Sequence, residues 1–392
     1  MSVVAFGWNA SGQVDAADAA DSVVFCERRG TDVACVGAGM VHSAYAYDEV
    51  VFVSGGDESG QCGGCGIGAL HGATARLGLR RVRRLACGAG HSAALDVGGA
   101  AFCWGGNAYG QCGRAARAAC PEPHRVAAAG VVDVAAGARF TALATGAAGL
   151  VTFGANDYGQ LGRDTDGAFD CEPRRVELER CAPFGDAEIT ALFARVRWCV
   201  DRVAAGDDHA VVAANGCAFT CGSDARGQRG RGDGAERGDA LRIDVRALRR
   251  PSVVVSLLRR GLCVVDVAAG AAASAAVCGS GELYTWGSND AGALGLGALE
   301  DVVAMPQRVD FGEGLRCTDV DIGDAHAAAV VDGRLFVWGA AAAHRLGKVP
   351  VRNAAALQLQ RIVRGFLGAR GSPLRLKRRR RRPRVPGARP RR

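Results

Sequence analysis

The sequence predicts an all-β chain folded as a seven-bladed β-propeller, on three observations. First, a strand-like stretch ends in glycine seven times, and each time a near-copy of one loop follows. The copies are AFGWNASGQV (5–14), VSGGDESGQCG (53–63), CWGGNAYGQCG (103–113), TFGANDYGQLG (152–162), TCGSDARGQRG (220–230), TWGSNDAGALG (285–295) and VWGAAAAHRLG (337–347). Second, a Gly-x-x-His/other-Ser/small segment precedes every anchor glycine after the first, at a nearly constant distance. These segments are GMVHS (39–43), GAGHS (88–92), GARFT (137–141), GDDHA (206–210), GAAAS (270–274) and GDAHA (323–327). Third, the anchors Gly7, Gly55, Gly105, Gly154, Gly222, Gly287 and Gly339 recur roughly every fifty residues in four of six intervals. That length holds about four strands of five or six residues with their turns, and a repeat at this period outranks every other local signal.

The elements follow from residue type. VVDVAAG (131–137), GLVTFGA (149–155) and ELYTWGS (282–288) are short apolar runs bounded by glycine and rich in β-branched or aromatic residues, which favours strands over helices. Sheets of this size bury both faces when they stand radially around an axis. A weaker mark, a proline shortly before a valine, lies between the two halves of three repeats: PHRV (123–126), PRRV (173–176) and PQRV (306–309). Two intervals are longer, with insertions expected at 164–198 and 231–262. Charge rises in the second (ERGDALRIDVRALRR, 236–250). Repeat arrays absorb such additions in loops on one face, often a binding face.

The quoted loops and Gly-x-x-His strands resemble the regulator-of-chromosome-condensation repeat family. Its signature is an aromatic-glycine pair, a polar loop ending Gly-Gln-Leu-Gly, and a preceding Gly-x-x-His-Ser/Thr strand. TFGANDYGQLG and CGAGHSAALDVGGAAFCWGGNAYGQCG (87–113) match closely, and the resemblance covers about residues 3–348. It implies one propeller over residues 1–374. Kelch repeats centre on a double glycine, offered here only by Gly55-Gly56 and Gly105-Gly106. WD repeats are shorter and lack the loop. The chain begins inside a blade, so its partner strands are expected from the other end. IVRGFLGARGSPL (362–374) lines up with VVDVAAGARFTAL (131–143) and is expected to seal the ring. The alternative is a loosely packed extension with a short helix at 353–363.

Composition bounds the rest. The net charge of +8 is a property of the end: residues 375–392 hold 11 Lys/Arg and no acid, leaving the body at −3. That tail is expected to be disordered, because its like charges repel and proline and glycine interrupt it. Lys377, Arg378, Arg379, Arg380, Arg381 and Arg382 are its candidate import or nucleic-acid contacts. With no aromatic interleaved, phosphate contact without base readout is the most it offers. Unselected arginine bias is the plain alternative. The start, MSVVAFGWNA, shows no secretory pattern, so the chain is expected in the nucleus or cytoplasm rather than secreted. Its sixteen cysteines should then stay reduced and serve as small buried hydrophobes, as in the leucine slots at Cys62 and Cys112. Cys62-Gly-Gly-Cys65 has no second half at zinc-site spacing, and no metal or other cofactor is expected. No apolar run is long enough to span a membrane, and a monomer is expected.

His42, His91, His209 and His326 share one repeat slot, which argues for architecture first: a histidine bonding the backbone of a neighbouring strand once per blade. Gly206-Asp207-Asp208-His209 and Gly323-Asp324-Ala325-His326 differ by carrying acids. The family's founding member, an exchange factor for the small GTPase Ran, has a similar Gly-Asp-x-His strand on its GTPase-binding face. The resemblance therefore makes Asp207, His209, Asp324 and His326 the candidate exchange face. The wedge loop that it also implies is not identifiable after Gly222 or Gly339. Five tryptophans, three of them (Trp104, Trp286, Trp338) in the repeat's aromatic slot, exclude the family's tryptophan-cluster photoreceptors. No phosphate-binding loop, nucleophile elbow or His-Glu-x-x-His is present, so no catalytic residue is expected. Three functions follow as expectations: a scaffold binding a protein partner through its loop face, an exchange factor for a small GTPase, or a chromatin or nucleic-acid tether through the tail.

Overall fold

The computed structural model describes residues 2–5, 26–29, 33–47, 50–63, 70–116, 119–178, 195–232, 252–254, 257, 260–297 and 300–339. Its first pair is β1 (Ser2–Ala5) with β2 (Cys26–Arg29). Six sheets follow. Blade A holds β3 (Val33–Ala38), β4 (His42–Tyr47), β5 (Val50–Gly55) and β6 (Leu70–Leu77). Blade B holds β7 (Val82–Cys87), β8 (His91–Asp96), β9 (Ala101–Gly106) and β10 (Ala119–Arg125). Blade C holds β11 (Asp133–Ala136), β12 (Phe140–Ala144), β13 (Leu150–Ala155) and β14 (Phe169–Val176). Blade D holds β15 (Val200–Ala205), β16 (His209–Ala214), β17 (Cys217–Gly222) and β18 (Ser252–Val253). Blade E holds β19 (Val264–Ala269), β20 (Ala273–Cys278), β21 (Leu283–Ser288) and β22 (Val302–Arg308). Blade F holds β23 (Cys317–Ile322), β24 (His326–Val331) and β25 (Arg334–Gly339). Each is an antiparallel meander in chain order.

The sheets stand radially. The first strands β3, β7, β11, β15, β19 and β23 pack each against the next, and all six line one central cavity of about 480 Å³. The fold is a β-propeller. The C-terminal segment 353–374 expected to complete the first blade, the short helix at 353–363 and the tail 375–392 all lie outside the described residues.

The core lies between blades rather than within them. Trp104 and Leu85 of blade B pack on Val51 and Val53 of blade A, and Phe153 and Leu143 of blade C pack on Leu95 and Cys103 of blade B. The same pattern places Phe219 against blade C, Trp286 against blade D and Trp338 against blade E. The second strands β12, β16 and β20 are consequently buried along their whole length, which explains runs such as HAVVAA that do not alternate. Outer strands face solvent, and there the marker prolines sit. Pro123, Pro173 and Pro306 fall in the register shifts of β10, β14 and β22, where no ladder hydrogen is required of them.

The propeller has two distinct ends. The Gly-x-x-His turns and the Gly-Gln-x-Gly loops share one, here the loop end. The turns from second to third strand and the blade-to-blade connections share the other, the hairpin end. Two of its turns are Asn215-Gly216 (φ 47° and 78°) and Asp332-Gly333 (φ 45° and 71°), pairs that suit a two-residue hairpin. This frame corrects the expectation that both insertions fall on one face. The surplus of the first lies in the connection 177–199, between β14 and β15, at the hairpin end. That of the second lies in 223–251, between β17 and β18, at the loop end. Counting residues between anchors measures a surplus but not which side of a strand holds it.

Candidate functional site

The recurring histidines are joints between blades. His42 Nε2 lies 2.8 Å from Ser92 Oγ, His91 Nε2 2.9 Å from Thr141 Oγ1, and His209 Nε2 2.9 Å from Ser274 Oγ. The partner of Nε2 is a side-chain hydroxyl of the next blade, and the backbone of Phe140 and of Ala273 in the next blade also acts on His91 and His209, as the sequence leads one to expect. Each hydroxyl in turn donates to the carbonyl of the loop glutamine in the preceding blade: Ser92 to Gln61 at 3.0 Å, Thr141 to Gln111 at 2.7 Å, Ser274 to Gln228 at 2.8 Å. The indole N–H of Trp104 and of Trp286 donates to the same Gln61 and Gln228 carbonyls, both at 2.8 Å. Successive residues of a strand point to opposite faces, so the adjacent pair His91-Ser92 grips the following blade with one residue and the preceding blade with the other.

Where the histidine is missing, its partner changes too. Phe140 replaces the histidine of blade C, and the facing positions in blade D are Ala210 and Cys221. Ala273 replaces that of blade E, and the facing position in blade F is Ala327. A serine facing Phe140 would have no imidazole to bond. Among the described joints three are thus polar and two apolar, each matched on both sides.

The loops are braced from within. Asn107 Oδ1 accepts from Cys112 N–H at 2.9 Å, and Gln111 Oε1 accepts from Tyr109 N–H at 3.0 Å. Asn156 and Gln160 do the same for Leu161 and Tyr158, and Asp224 and Gln228 for Arg229 and Arg226. Cys62 and Cys112 fill the leucine slot as buried hydrophobes; Cys65 lies outside the described residues. Among the described residues no group of three or more His, Cys, Asp or Glu has a geometry for metal. No helix of the described residues is long and apolar enough to cross a membrane.

Burial holds the joint histidines neutral. The His42 imidazole is pushed down to about 3 by burial and by His91, and His91 and His209 are pushed down to about 4 by burial. The folded form therefore takes up these protons later than an unfolded chain with the ordinary value near 6.5. Their contribution is present above that value and is lost as pH falls from about 6.5 towards 4. The carboxyls of Asp57, Asp133, Asp207 and Asp208, raised mainly by burial, act in the opposite direction at lower pH. The expected result is a difference between proteins. A His91→Phe, Thr141→Ala variant, which copies the Phe140–Ala210 joint, loses roughly 2 kcal/mol less stability than wild type between pH 7 and 4.5. Urea unfolding at the two pH values reads it.

The channel carries a ring of charge that sequence reasoning missed. The residue four before each motif glycine is Cys35, Arg84, Asp133, Arg202, Asp266 and Asp319 in blades A to F. Arg84 Nε lies 3.4 Å from Asp133 Oδ1, and Arg202 Nε 3.4 Å from Asp266 Oδ1. Asp133 also accepts from Val203 N–H at 3.3 Å, and burial raises its carboxyl despite Arg84 and Arg202. Aligning the first strands on their glycines would have shown this ring.

At the loop end the same channel opens between Asp207 and Asp324. Both are exposed and both line the cavity, at the position after the motif glycine. The Asp207 carboxyl is raised by partial desolvation, then by Asp208 and Asp324, and both Asp207 and Asp324 line this cavity. The two expected histidines behave differently. His209 is fully buried in its joint, while His326 is half-buried and lines the cavity. Beside the mouth, Arg139 joins blades B, C and D. Its guanidinium lies 4.8 Å over the Tyr109 ring, 3.6 Å from Asp157 and 3.5 Å from Asp208. Phe169 meets Tyr109 edge-on at 6.4 Å. Phe169 and Tyr158 remain 43% and 45% exposed, large apolar groups at this end that solvent would not favour. Lys377, Arg378, Arg379, Arg380, Arg381 and Arg382 lie outside the described residues.

Radial sheets, joints from Gly-x-x-His strands and braced Gly-Gln-x-Gly loops define a repeat β-propeller. Two profiles, each described as the regulator of chromosome condensation (RCC1) repeat, match residues 98–144 and 280–330, and 82–111 and 264–293. The E3 ubiquitin-protein ligase HERC2 of Homo sapiens is 32% identical over 259 residues, 64% of this chain and 5% of that protein. The secretion-regulating guanine nucleotide exchange factor of Bos taurus is 30% identical over 275 residues, 68% of this chain and 54% of that protein. The chain thus spans a small part of the first relative and about half of the second. Among solved structures, human WBSCR16 superposes with a TM-score of 0.67 at 21% identity, covering 86% of this chain and 88% of its own. Prp20p of Saccharomyces cerevisiae, described with binding to Gsp1p and histones, gives 0.57 at 21% identity, covering 80% and 68%. The chain belongs to the regulator of chromosome condensation repeat family.

Proposed function

We propose that this chain is a protein-interaction scaffold that engages a protein partner through the loop end of its propeller. One observation carries the reading. The acidic mouth formed by Asp207 and Asp324, the Arg139 hub and the exposed Tyr158 and Phe169 are contiguous there, while the rest of the repeat signature is spent inside the fold. The connection 223–251 leaves and re-enters blade D at the same end. Aromatic and arginine groups are enriched in protein interfaces. The ligase activity named for HERC2 belongs to a protein of which this chain matches a small part. Affinity capture followed by cross-link mapping on the full chain tests the proposal. Cross-links are expected within 106–116, 156–168 and 223–232 and fewer of them after Tyr158→Ala, Phe169→Ala. Cross-links concentrated at 96–100, 126–132 and 177–199 would place the partner at the hairpin end and refute it.

A second reading, exchange on a small GTPase, is favoured by the convergence of Asp207 and Asp324 and by the similarity to a guanine nucleotide exchange factor. On this reading the two carboxylates are the contacts, His326 borders them, and His209 holds the Asp207 turn in place. Labelled-nucleotide release across a panel of small GTPases is expected to accelerate on one member, and Asp207→Ala, Asp324→Ala to slow it by roughly tenfold. Release that accelerates on no member removes this reading. A tether through Lys377 to Arg382, with nuclear placement, rests on charge alone. A loss of DNA affinity and salt dependence on deleting 375–392 would support it.

A further inference from the structure

Six aspartates and two arginines line the channel, and both arginines are engaged, by Asp133 and by Asp266. The surplus of acid is not spread evenly around the axis. Two residues before each motif glycine stand Gly37, Ala86, Ala135, Ala204 and Ala268 in blades A to E, but Asp321 in blade F. One residue after it stand Met40, Ala89, Ala138 and Ala271 in four blades, but Asp207 in blade D and Asp324 in blade F. The small residues leave the channel wide, and the acids at these two positions stand in blades D and F, at the loop-end mouth. Met40, 77% exposed, is the long apolar group on the same rim. An arginine brings both an aliphatic stem and a charged head to such a rim. The loop end holds one arginine of its own in this manner. The Arg139 guanidinium lies over the Tyr109 ring with Asp157 and Asp208 beside it.

We propose that this mouth is a docking surface for an arginine-rich segment, and that its occupant is residues 375–392 of the same chain. The segment lies outside the described residues; its sequence supplies 11 Lys/Arg and no acid against a body of net −3. The last described strand ends at this mouth. Gly339, which closes β25, pairs with His326, two residues from Asp324. About 35 residues then separate it from Arg375, a length that spans roughly 30 Å even as a coil. A segment tethered so close meets the mouth at an effective concentration on the order of millimolar, ahead of any separate cationic partner. Docking covers Asp207 and Asp324. A cationic partner at the mouth must therefore displace the segment, and a polyanion that takes up the segment opens the mouth. The inference stands apart from the scaffold reading, since no second protein takes part.

The test uses the full chain. Its lysines are Lys348 and Lys377, so a zero-length carbodiimide cross-link from Lys377 to a carboxylate reports where the segment sits. Links to Asp207, Asp321 or Asp324 are expected. They should form within one chain in a mixture of isotope-labelled and unlabelled protein, and disappear in about 1 M salt. In a second measurement, a fluorescent peptide of residues 375–392 is titrated against the full chain and against a full-length variant carrying Arg378→Gln, Arg379→Gln, Arg380→Gln, Arg381→Gln and Arg382→Gln. That variant frees the mouth and is expected to bind the peptide roughly tenfold more tightly or better. Adding Asp207→Asn and Asp324→Asn, both at exposed positions, is expected to remove the gain. Links from Lys377 to exposed hairpin-end carboxylates such as Glu313 or Asp332, links formed only between chains, or equal peptide affinity for the two chains would each overturn the inference.

Discussion

Gly88→Ala is expected to destabilise the propeller by about 3 kcal/mol or more, at the upper end of single substitutions. A Cβ at this position would meet the His91 ring at 2.7 Å and the Gly137 carbonyl of the next blade. Neither neighbour has room to give. The imidazole is fully buried and fixed by Thr141, and the carbonyl belongs to the following motif turn. The same relation recurs around the channel: Gly39 meets the Gly88 carbonyl, Gly206 that of Gly270, and Gly270 that of Gly323. These turns are nested, so a side chain in one displaces the next. Gly78→Ala, where nothing lies within 4 Å, is the control and should cost little. Thermal unfolding of the two variants, followed by circular dichroism, measures the contrast. Equal midpoints would remove the steric argument.

Trp286→Ala is expected to cost about 3–5 kcal/mol, and Trp286→Phe distinctly less. The indole is wholly buried between blades D and E and donates to the Gln228 carbonyl at 2.8 Å. Alanine leaves a cavity at a joint made of few large groups. Phenylalanine keeps most of the volume and loses one hydrogen bond, worth about 1 kcal/mol. Ser274 still donates to that carbonyl, so the acceptor is not orphaned. The protein already uses this solution, since Phe153 fills the same slot in blade C while Thr141 donates to Gln111. Urea denaturation of the three proteins gives the ordering, and a phenylalanine variant as unstable as the alanine one would overturn it.

The repeat itself was legible in the sequence because its marks are backbone demands. Gly105, for example, has φ 101°, and a Cβ there would meet the Gly90 carbonyl and His91 Cα at 2.8 Å. Such a position tolerates no other residue well, so it appears as a fixed letter in every copy. The prolines were legible as a mark between the halves of three repeats, and the structure places them in the register shifts of outer strands. The hydroxyl partner of each histidine was not legible. Comparing repeats position by position sets His91 against His209, whereas the bond runs from His91 to Thr141 in the following copy. The information was present as the paired changes Phe140 with Ala210 and Ala273 with Ala327, but it appears only when each copy is read one unit out of step. The channel ring was hidden differently. Arg84, Asp133, Arg202 and Asp266 share a slot but alternate in sign, so they look like noise until the axis brings them together. Of the candidate site, the choice of Asp207 and Asp324 came from the motif. The Arg139 hub and exposed Tyr158 did not, because each is ordinary in its own copy and gains meaning from neighbours in other blades.

The one-unit offset of the joints makes every blade a tile with two unlike edges. Its forward edge presents an imidazole, a benzyl ring or a methyl group, and its rear edge must suit whichever of these the tile before it presents. Blade D is cut to follow blade C: its Ala210 and Cys221 fit behind Phe140 but would leave the imidazole of His42 or His91 facing a methyl group. Blades of near-identical outline are therefore interchangeable only where their edges match, as the histidine–hydroxyl edges of three joints do. The edges add to chain connectivity a partial constraint on order around the ring. A chimera built by transplanting one blade succeeds when its edges suit the new neighbours, and a blade docked behind the wrong one while folding would set an imidazole against a methyl group.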